Sequence, residues 1–311
     1  MKITKPKFWD YRKVSFWSVL LFPLTVIYLV IIWIKKNKSI LKTNVKAPIP
    51  IICVGNIYLG GTGKTPLVRE IFKIAKSLNK NPAFIKKYYN YLSDEIEMLN
   101  NTGKTFTNRK RIEGISQAIL NNHDVAILDD GYQDYSIKPD FSILCFNSKQ
   151  MIGNGLVIPS GPLRERLKAI SRADCIMING QKNLEFEEKI LKNIKHKKLH
   201  IFYSKYKIRN IENFKNKRII AFAGIGNPSN FFDLLIENNL DIKKTYSFPD
   251  HHYYSQKDFE KIKNNEPNKI VTTEKDYYRL NKFQKQNCEY IEVNLEIENK
   301  NEFEKLIKSN L

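Results

Sequence analysis

The stretch Gly55 to Pro66, Gly-Asn-Ile-Tyr-Leu-Gly-Gly-Thr-Gly-Lys-Thr-Pro, constrains this chain more than any other. An apolar run from Ile49 to Val54 leads into it. An amphipathic segment leaves it, with Leu67, Val68, Ile71, Ile74, Ala75 and Leu78 on one helical face. Strand, glycine-rich turn and Gly-Lys-Thr opening a helix make a P-loop, in which backbone N–H groups and the helix dipole attract phosphate. Gly60, Gly61, Thr62, Gly63, Lys64, Thr65 and Pro66 form the expected phosphate-binding set. Lys64 is placed to reach the β- and γ-phosphates, and the Thr65 hydroxyl to ligate Mg²⁺. Pro66 suits a first helical turn, where a missing N–H costs nothing. The strict pattern G-x-x-x-x-G-K-[ST] wants glycine where Tyr58 stands. A chance glycine-rich run in a flexible loop is the alternative, and the flanking strand and helix argue against it.

A chain of 311 residues can bury a large core and fits two domains. Its net charge of +20 suits nucleic acid, an anionic membrane or a phosphorylated substrate. Most of the basic residues, however, are Lys mixed with Asn along the whole chain, so charge alone names no partner. No nucleic-acid motif accompanies it, and neither nucleic acid nor a protein partner is expected. Cys53, Cys145, Cys175 and Cys288 form no close-spaced metal pattern, and three lie in apolar strand-like runs. Buried thiols in a reducing compartment are the expectation.

Residues 14–34 carry no charge and are long enough to span a bilayer. Trp17, Tyr28 and Trp33 suit interfacial belts. Basic residues flank both ends: Lys2, Lys5, Lys7, Arg12 and Lys13 before, Lys35, Lys36 and Lys38 after. A simple span would carry one basic flank across, against the positive-inside tendency. Pro23 offers a kink. The run is therefore expected to form a bent or interfacial helix with both ends on the cytoplasmic side. A buried helix of a soluble protein is the alternative.

Further along, Pro82 to Ile85 reads as a strand and the segment 86–93 as a polar, aromatic loop. Asp94 and Glu95 follow; taken alone, they read as first-turn acids of a helix capped by Ser93. Val125 to Asp129 is a buried-strand run ending in Asp129-Asp130-Gly131, which suits Mg²⁺ at a sheet's carboxyl edge, or else is a plain strand exit. Arg164 and Arg166 lie in a Gly/Pro loop and suit a phosphate clamp or an ordinary surface. Alternating strands and helices from 49 to 179 argue for a parallel, helix-flanked sheet. Residues 181–217, dense in Lys and Asn, read as a connecting region. A second unit begins at Arg218, with strands at 219–223 and 270–273 and helices at 229–237 and 255–264. His251 and His252 lie in a loop, where adjacent histidines are usually surface residues.

Together these pieces resemble the tetraacyldisaccharide 4'-kinase family, the lipid A 4'-kinases of Gram-negative bacteria. The likeness covers nearly the whole chain: an apolar N-terminal helix, GNIYLGGTGKTP at 55–66, Asp94-Glu95, DDGYQ at 129–133, GNG at 153–155, GPLRE at 161–165 and RAD at 172–174. FAGIGNP at 222–228, FPDHH at 248–252 and TTEKD at 272–276 complete it. The resemblance implies an α/β fold of two α/β/α domains, a P-loop kinase core with a parallel sheet plus a smaller C-terminal α/β domain, preceded by a membrane-associated helix. The expected boundaries are 1–44 for that helix, 45–180 for the nucleotide domain, 181–217 for a linker and 218–311 for the C-terminal domain. The implied activity transfers the γ-phosphate of ATP, with Mg²⁺, to the 4'-hydroxyl of a lipid A disaccharide precursor on the cytoplasmic face of the inner membrane. Lys64 would be catalytic, and Thr65, Asp129, Asp130 and Glu95 would make the metal region. Asp94 would be the base, oriented from the second domain by His251, with His252 less favoured.

Three departures stand out. The family usually has Ser-Arg-Gly-Tyr-Gly after the strand at 82–85, and here Lys86-Lys87-Tyr88-Tyr89-Asn90 stands there, in a region shortened before Asp94. Asp134 replaces the usual histidine after DDGYQ. The rival reading is a membrane-attached P-loop ATPase acting as a nucleotide switch, which leaves Asp94 and His251 unexplained.

Overall fold

The computed structural model describes residues 5–40, 47–89, 92–194, 199–263 and 269–311. The expected boundary at 44/45, positions 90 and 91 of the altered loop and the helix end at 264 lie outside them. In chain order the elements are α1 (Phe16–Leu20), α2 (Phe22–Ile40), β1 (Ile51–Gly55), α3 (Lys64–Ser77), β2 (Pro82–Lys87) and α4 (Ser93–Asn100). Then come β3 (Thr105–Asn108), α5 (Arg111–Leu120), β4 (Val125–Asp129), β5 (Phe141–Asn147), β6 (Cys175–Asn179), α6 (Leu184–Leu191) and β7 (His200–Ile208). The remainder is β8 (Ile219–Ala223), α7 (Pro228–Glu237), β9 (Ile242–Ser247), α8 (Gln256–Ile262), β10 (Lys269–Thr273), α9 (Glu274–Tyr278), α10 (Lys282–Gln286), β11 (Glu289–Ile291), β12 (Val293–Ile297) and α11 (Lys300–Lys308).

The chain divides into two compact units, and the α/β class is as expected. The first comprises residues 1–88, 103–205 and 297–311; the second comprises 89–102 and 206–296. Among the described residues the larger sheet runs β12-β7-β6-β5-β1-β4-β2-β3, and the smaller runs β11-β10-β8-β9. The central strands β1, β4, β5 and β6 are buried along their whole length. That is why they read as continuous apolar runs rather than alternating ones: helices cover both faces of a parallel sheet. Helix α3 buries Leu67, Val68, Ile71, Ile74 and Ala75, the stripe read from its spacing. All four cysteines are free and buried, and burial pushes the Cys53 and Cys145 thiols up to about 12.

The units differ from the expected domains in three places. Residues 89–102, with α4, belong to the second unit. Residues 181–205 belong to the first as structure rather than linker: α6 buries Phe186 and Ile190, and β7 joins the sheet beside β6. The Lys and Asn density of the surrounding segment had masked this strand, HIFYSKYKI. The C-terminal residues 297–311 return to the first unit, where α11 buries Phe303 and Ile307 and Phe303 meets Phe202 edge-on at 5.3 Å. Helix starts differ too. Ser93 and Ser229 lie inside their helices, and Leu92 and Asn227 hold the cap positions with no side-chain cap bond. Ser255 does cap α8, through a reciprocal box with Asp258.

The apolar N-terminal run breaks at Leu21, and Pro23 sits in the first turn of α2, where it lacks no needed N–H. Its polar residues face inward. Ser18 and Thr25 are buried; Thr25 Oγ1 donates to Ser160 Oγ at 2.8 Å, and Asn154 Nδ2 donates to Ser18 Oγ at 3.0 Å. Tyr28 Oη donates to the Arg164 carbonyl at 3.1 Å. The GNG and GPLRE motifs thus receive this helix pair. Its apolar side chains point outward: Phe16 is 74% exposed and Trp33 63%, with Leu20, Ile27 and Val30 each at least half exposed. Among the described residues no helix is long and apolar enough to cross a membrane.

Candidate active site

At the carboxyl ends of β1 and β4, Val54 and Asp129 are register partners, so the P-loop and Asp129 open onto the same sheet edge. Gly63 caps α3 with a left-handed backbone, φ 85°, which an L side chain would strain. The Asn56 side chain ties the loop together, donating to the Tyr58 carbonyl at 2.6 Å and to Thr62 Oγ1 at 3.0 Å. Tyr58, where a strict P-loop has glycine, is fully buried and bridges to Leu163. Its phenol hydrogen-bonds Asp10. The irregular position is therefore packed inward, and Gly60 to Gly63 are left to approach phosphate.

Around this loop the charged groups interlock. Thr65 Oγ1 donates to Asp129 Oδ2 at 3.3 Å, and Lys64 Nζ lies 3.7 Å from Asp130 Oδ1. Arg164 Nη1 donates to both Asp130 oxygens at 3.0 Å. Burial alone would push the Asp130 carboxyl up, but Lys64, Arg164 and Lys86 together hold it well below the usual carboxylate range. Arg111 donates to the Asp130 carbonyl at 2.6 Å and pairs with Asp134 at 3.1 Å. Asp134, the replacement for histidine, is thus the counter-ion of Arg111. Lys86, expected to open a loop, lies instead inside β2 as the register partner of Asp129; it is 2% exposed and donates to Asp129 Oδ2 at 2.5 Å.

Asp129 is fully buried, yet its Oδ1 has no hydrogen-bond partner. A hydroxyl and a carboxylate side by side, with one carboxylate oxygen unsatisfied, fit a hard divalent cation completed by phosphate oxygens and water. Among the described residues no group of three or more His, Cys, Asp or Glu side chains could hold a metal without such help. Glu95, expected in this set, belongs to the second unit and pairs with Lys275 at 2.8 Å.

The second unit holds its own cluster. Asp94, in the first turn of α4, is 2% exposed, and Arg279 Nε donates to its Oδ2 at 2.8 Å. His251 Nδ1 lies 3.8 Å from the same oxygen. His251 has a left-handed backbone, φ 56°, and its N–H donates to the Gly224 carbonyl at 3.1 Å. His252 points elsewhere, stacked on Phe248 at 4.7 Å and 3.1 Å from Asp258. Asp94 and His251 therefore share one unit, where the sequence reading had placed them in two. Arg279 and Lys275 were missed. Lys275, Asp276 and Arg279 fall at helical spacings within and just past the TTEKD motif, but such spacing does not separate a buried cluster from a charged surface face.

Residues 17–311 match the family described as Tetraacyldisaccharide-1-P 4'-kinase. The Tetraacyldisaccharide 4'-kinase of Pelagibacter ubique (strain HTCC1062) is 42% identical over 316 residues, covering 100% of this chain and 99% of that protein. Its counterpart from Francisella tularensis subsp. novicida (strain U112) is 31% identical over 325 residues, covering 94% and 98%. In fold the chain is similar to the crystal structure of "apo" form LpxK from Aquifex aeolicus in complex with ATP, with a TM-score of 0.73 at 24% identity, covering 94% of this chain and 99% of that one. A family match over nearly the whole length, joined to a P-loop cluster of the expected residues, means that this chain belongs to the tetraacyldisaccharide-1-P 4'-kinase family.

Proposed function

We propose that this protein transfers the γ-phosphate of ATP to the 4'-hydroxyl of a tetraacyldisaccharide 1-phosphate, forming lipid IVA. The observation that carries this reading is the Lys64–Thr65–Asp129–Asp130 cluster at the start of α3, in a chain of this family. Gly60 to Gly63 offer backbone N–H groups to the phosphates, and Lys64 neutralises charge on the group being transferred. Thr65 and Asp129 would hold Mg²⁺, which supplies charge neutralisation on the β- and γ-phosphates. Arg164 keeps Asp130 ionised and in place. Asp94 receives the acceptor's hydroxyl proton, a step worth about 10²–10⁴-fold in rate. The test is incubation of purified protein with ATP, Mg²⁺ and tetraacyldisaccharide 1-phosphate. Mass analysis should find one added phosphate, and Lys64→Ala should abolish it. ATP turnover that ignores the acceptor would instead favour a nucleotide switch.

The acceptor is an amphiphile, and the helix pair α1–α2 supports a place for the protein on the cytoplasmic face of the inner membrane. Phe16, Leu20, Ile27, Val30 and Trp33 present the outward apolar face, and the exposed Arg12, Lys13, Lys35 and Lys38 flank it. Each large side chain buried in lipid contributes about 2 kcal/mol, roughly 30-fold in partitioning. Trp33→Ser combined with Phe16→Ser should therefore reduce co-flotation with phosphatidylglycerol-containing vesicles by about 10²–10³-fold. Turnover in detergent micelles should be unchanged. Undiminished flotation would remove α1–α2 as the membrane-binding face.

A further inference from the structure

We infer that Arg279 is the positioning residue for Asp94, and that the FAGIG and TTEKD motifs exist to seat it. The inference rests on Asp94 being the proton acceptor and concerns what holds that carboxylate in place. Asp94 is buried, its Oδ2 taking both Nε, at 2.8 Å, and Nη2 of Arg279. Its Oδ1 has no hydrogen-bond partner. An ion pair built only for stability would tend to use both carboxylate oxygens in a fork-to-fork pair. Here the fork closes on one oxygen and leaves its twin, held at a fixed angle, for an incoming proton.

The guanidinium has no slack. Its Nη1 donates to the Gly224 carbonyl at 2.8 Å and to Asp276 Oδ1 at 3.0 Å, and Nη2 also faces His251 Nδ1 at 3.3 Å. Asp276, fully buried, is itself fixed by four donors. Oδ1 accepts from Tyr254 Oη at 2.8 Å as well as from Arg279, and Oδ2 accepts from Thr273 Oγ1 at 2.7 Å and from the Gly224 N–H at 3.1 Å. Gly224 thus serves the seat through both its N–H and its carbonyl. A Cβ there would stand 2.7 Å from Tyr254 Oη and 3.2 Å from Asp276 Oδ1, so the close approach requires glycine. Two motifs distant in sequence converge on one arginine.

His251 also borders Asp94 but makes no direct hydrogen bond to it. At 3.8 Å its Nδ1 is beyond hydrogen-bond reach of Asp94. Its two ring nitrogens face cations, Arg279 at Nδ1 and Lys275 at Nε2, the latter at 3.5 Å. Burial, Lys275 and Arg279 outweigh Asp250 and Asp94 and hold the imidazole below its ordinary range, so it is neutral at neutral pH. A neutral imidazole accepts at one nitrogen only, and here it packs beside the arginine. Lysine could not take over from Arg279, since an ammonium is a point charge without a planar fork to span Asp94, Asp276 and Gly224.

The decisive experiment measures kcat and KM with Mg·ATP and tetraacyldisaccharide 1-phosphate for Arg279→Ala, Arg279→Lys and Asp94→Asn. Arg279→Ala should lower kcat by about 10²-fold, the scale of a misplaced reacting group, with KM for ATP changed less than about twofold. Millimolar guanidinium should restore part of that loss in Arg279→Ala and none in Asp94→Asn; a purely structural role would not give selective rescue. Arg279→Lys should fall between wild type and Arg279→Ala. Wild-type kcat in Arg279→Ala, or a loss that guanidinium leaves untouched, overturns the inference. If Arg279→Ala does not fold, Arg279→Lys decides, because full activity there overturns it equally. Near-normal turnover in Asp94→Asn would instead sink the base assignment beneath it, so the two failures are distinguishable.

Discussion

Asp94→Asn lowers turnover by about 10²–10⁴-fold, the range for removing a positioned general base. The substitution preserves shape but removes the carboxylate charge, and with it the capacity to take a proton at Oδ1, the oxygen without a partner. Nucleotide binding survives, because the phosphate-facing groups Lys64, Thr65 and Asp129 belong to the first unit and Asp94 to the second. The variant also folds: Arg279 keeps Asp276 as counter-ion at 3.0 Å, so no buried cation is left unpaired. Two measurements check this together, ATP binding by calorimetry and phosphate transfer in a single turnover. Unchanged transfer would reduce Asp94 to an anchor for the start of α4.

Much of this was legible in the residues. Continuous apolar runs such as Ile49 to Val54 and Val125 to Leu128, each ending at a turn, read as buried strands, and the turn chemistry between β1 and α3 announced the phosphate site. What the sequence withheld was of two kinds. Strand β7 did carry a strand pattern, Ile201-Phe202-Tyr203 followed by the alternation Lys205-Tyr206-Lys207-Ile208, but the Lys and Asn density of the segment around it outweighed so short a signal. Likewise, Asp94 was assigned to the wrong unit because one excursion of the chain, residues 89–102, leaves the first unit and returns. Local pattern carries no information about such an exchange.

The site residues divide in the same way. Thr65 and Asp129 could be read because a known chemistry demands those residue types at those places. Arg279 could not, since an arginine near the end of a short helix looks like any charged surface residue until its partners are known. Burial decides the matter, as the Arg279 side chain is 9% exposed and Asp94's is 1%. A charge removed from water that far must be paired, and the partner it chooses is a product of tertiary structure. The irregular positions resolve by the same logic. Asp134 finds Arg111, Tyr58 finds the core, and Lys86 finds Asp129.

Lys86→Met should destabilise the fold by about 3–5 kcal/mol, the scale for breaking one side of a buried ion pair. Asp129 is fully exposure-free, and Lys86 Nζ at 2.5 Å is its nearest donor; Thr65 Oγ1 at 3.3 Å contributes a longer, neutral one. Methionine fills the space of the lysine stem but leaves the carboxylate buried without a counter-ion. Adding Asp129→Asn should recover most of the loss, because replacing both members of such a pair by neutral groups is close to neutral for stability. Urea denaturation of the two single variants and the double variant measures this directly. Additive losses, or a Lys86→Met protein as stable as wild type, would show the pair to be a bystander. Recovery would mean that this chain carries a permanent cation on Asp129. Since Asp129 Oδ1 is also the unsatisfied oxygen that suits Mg²⁺, the strength of metal binding would then be set by competition with Lys86 for one carboxylate.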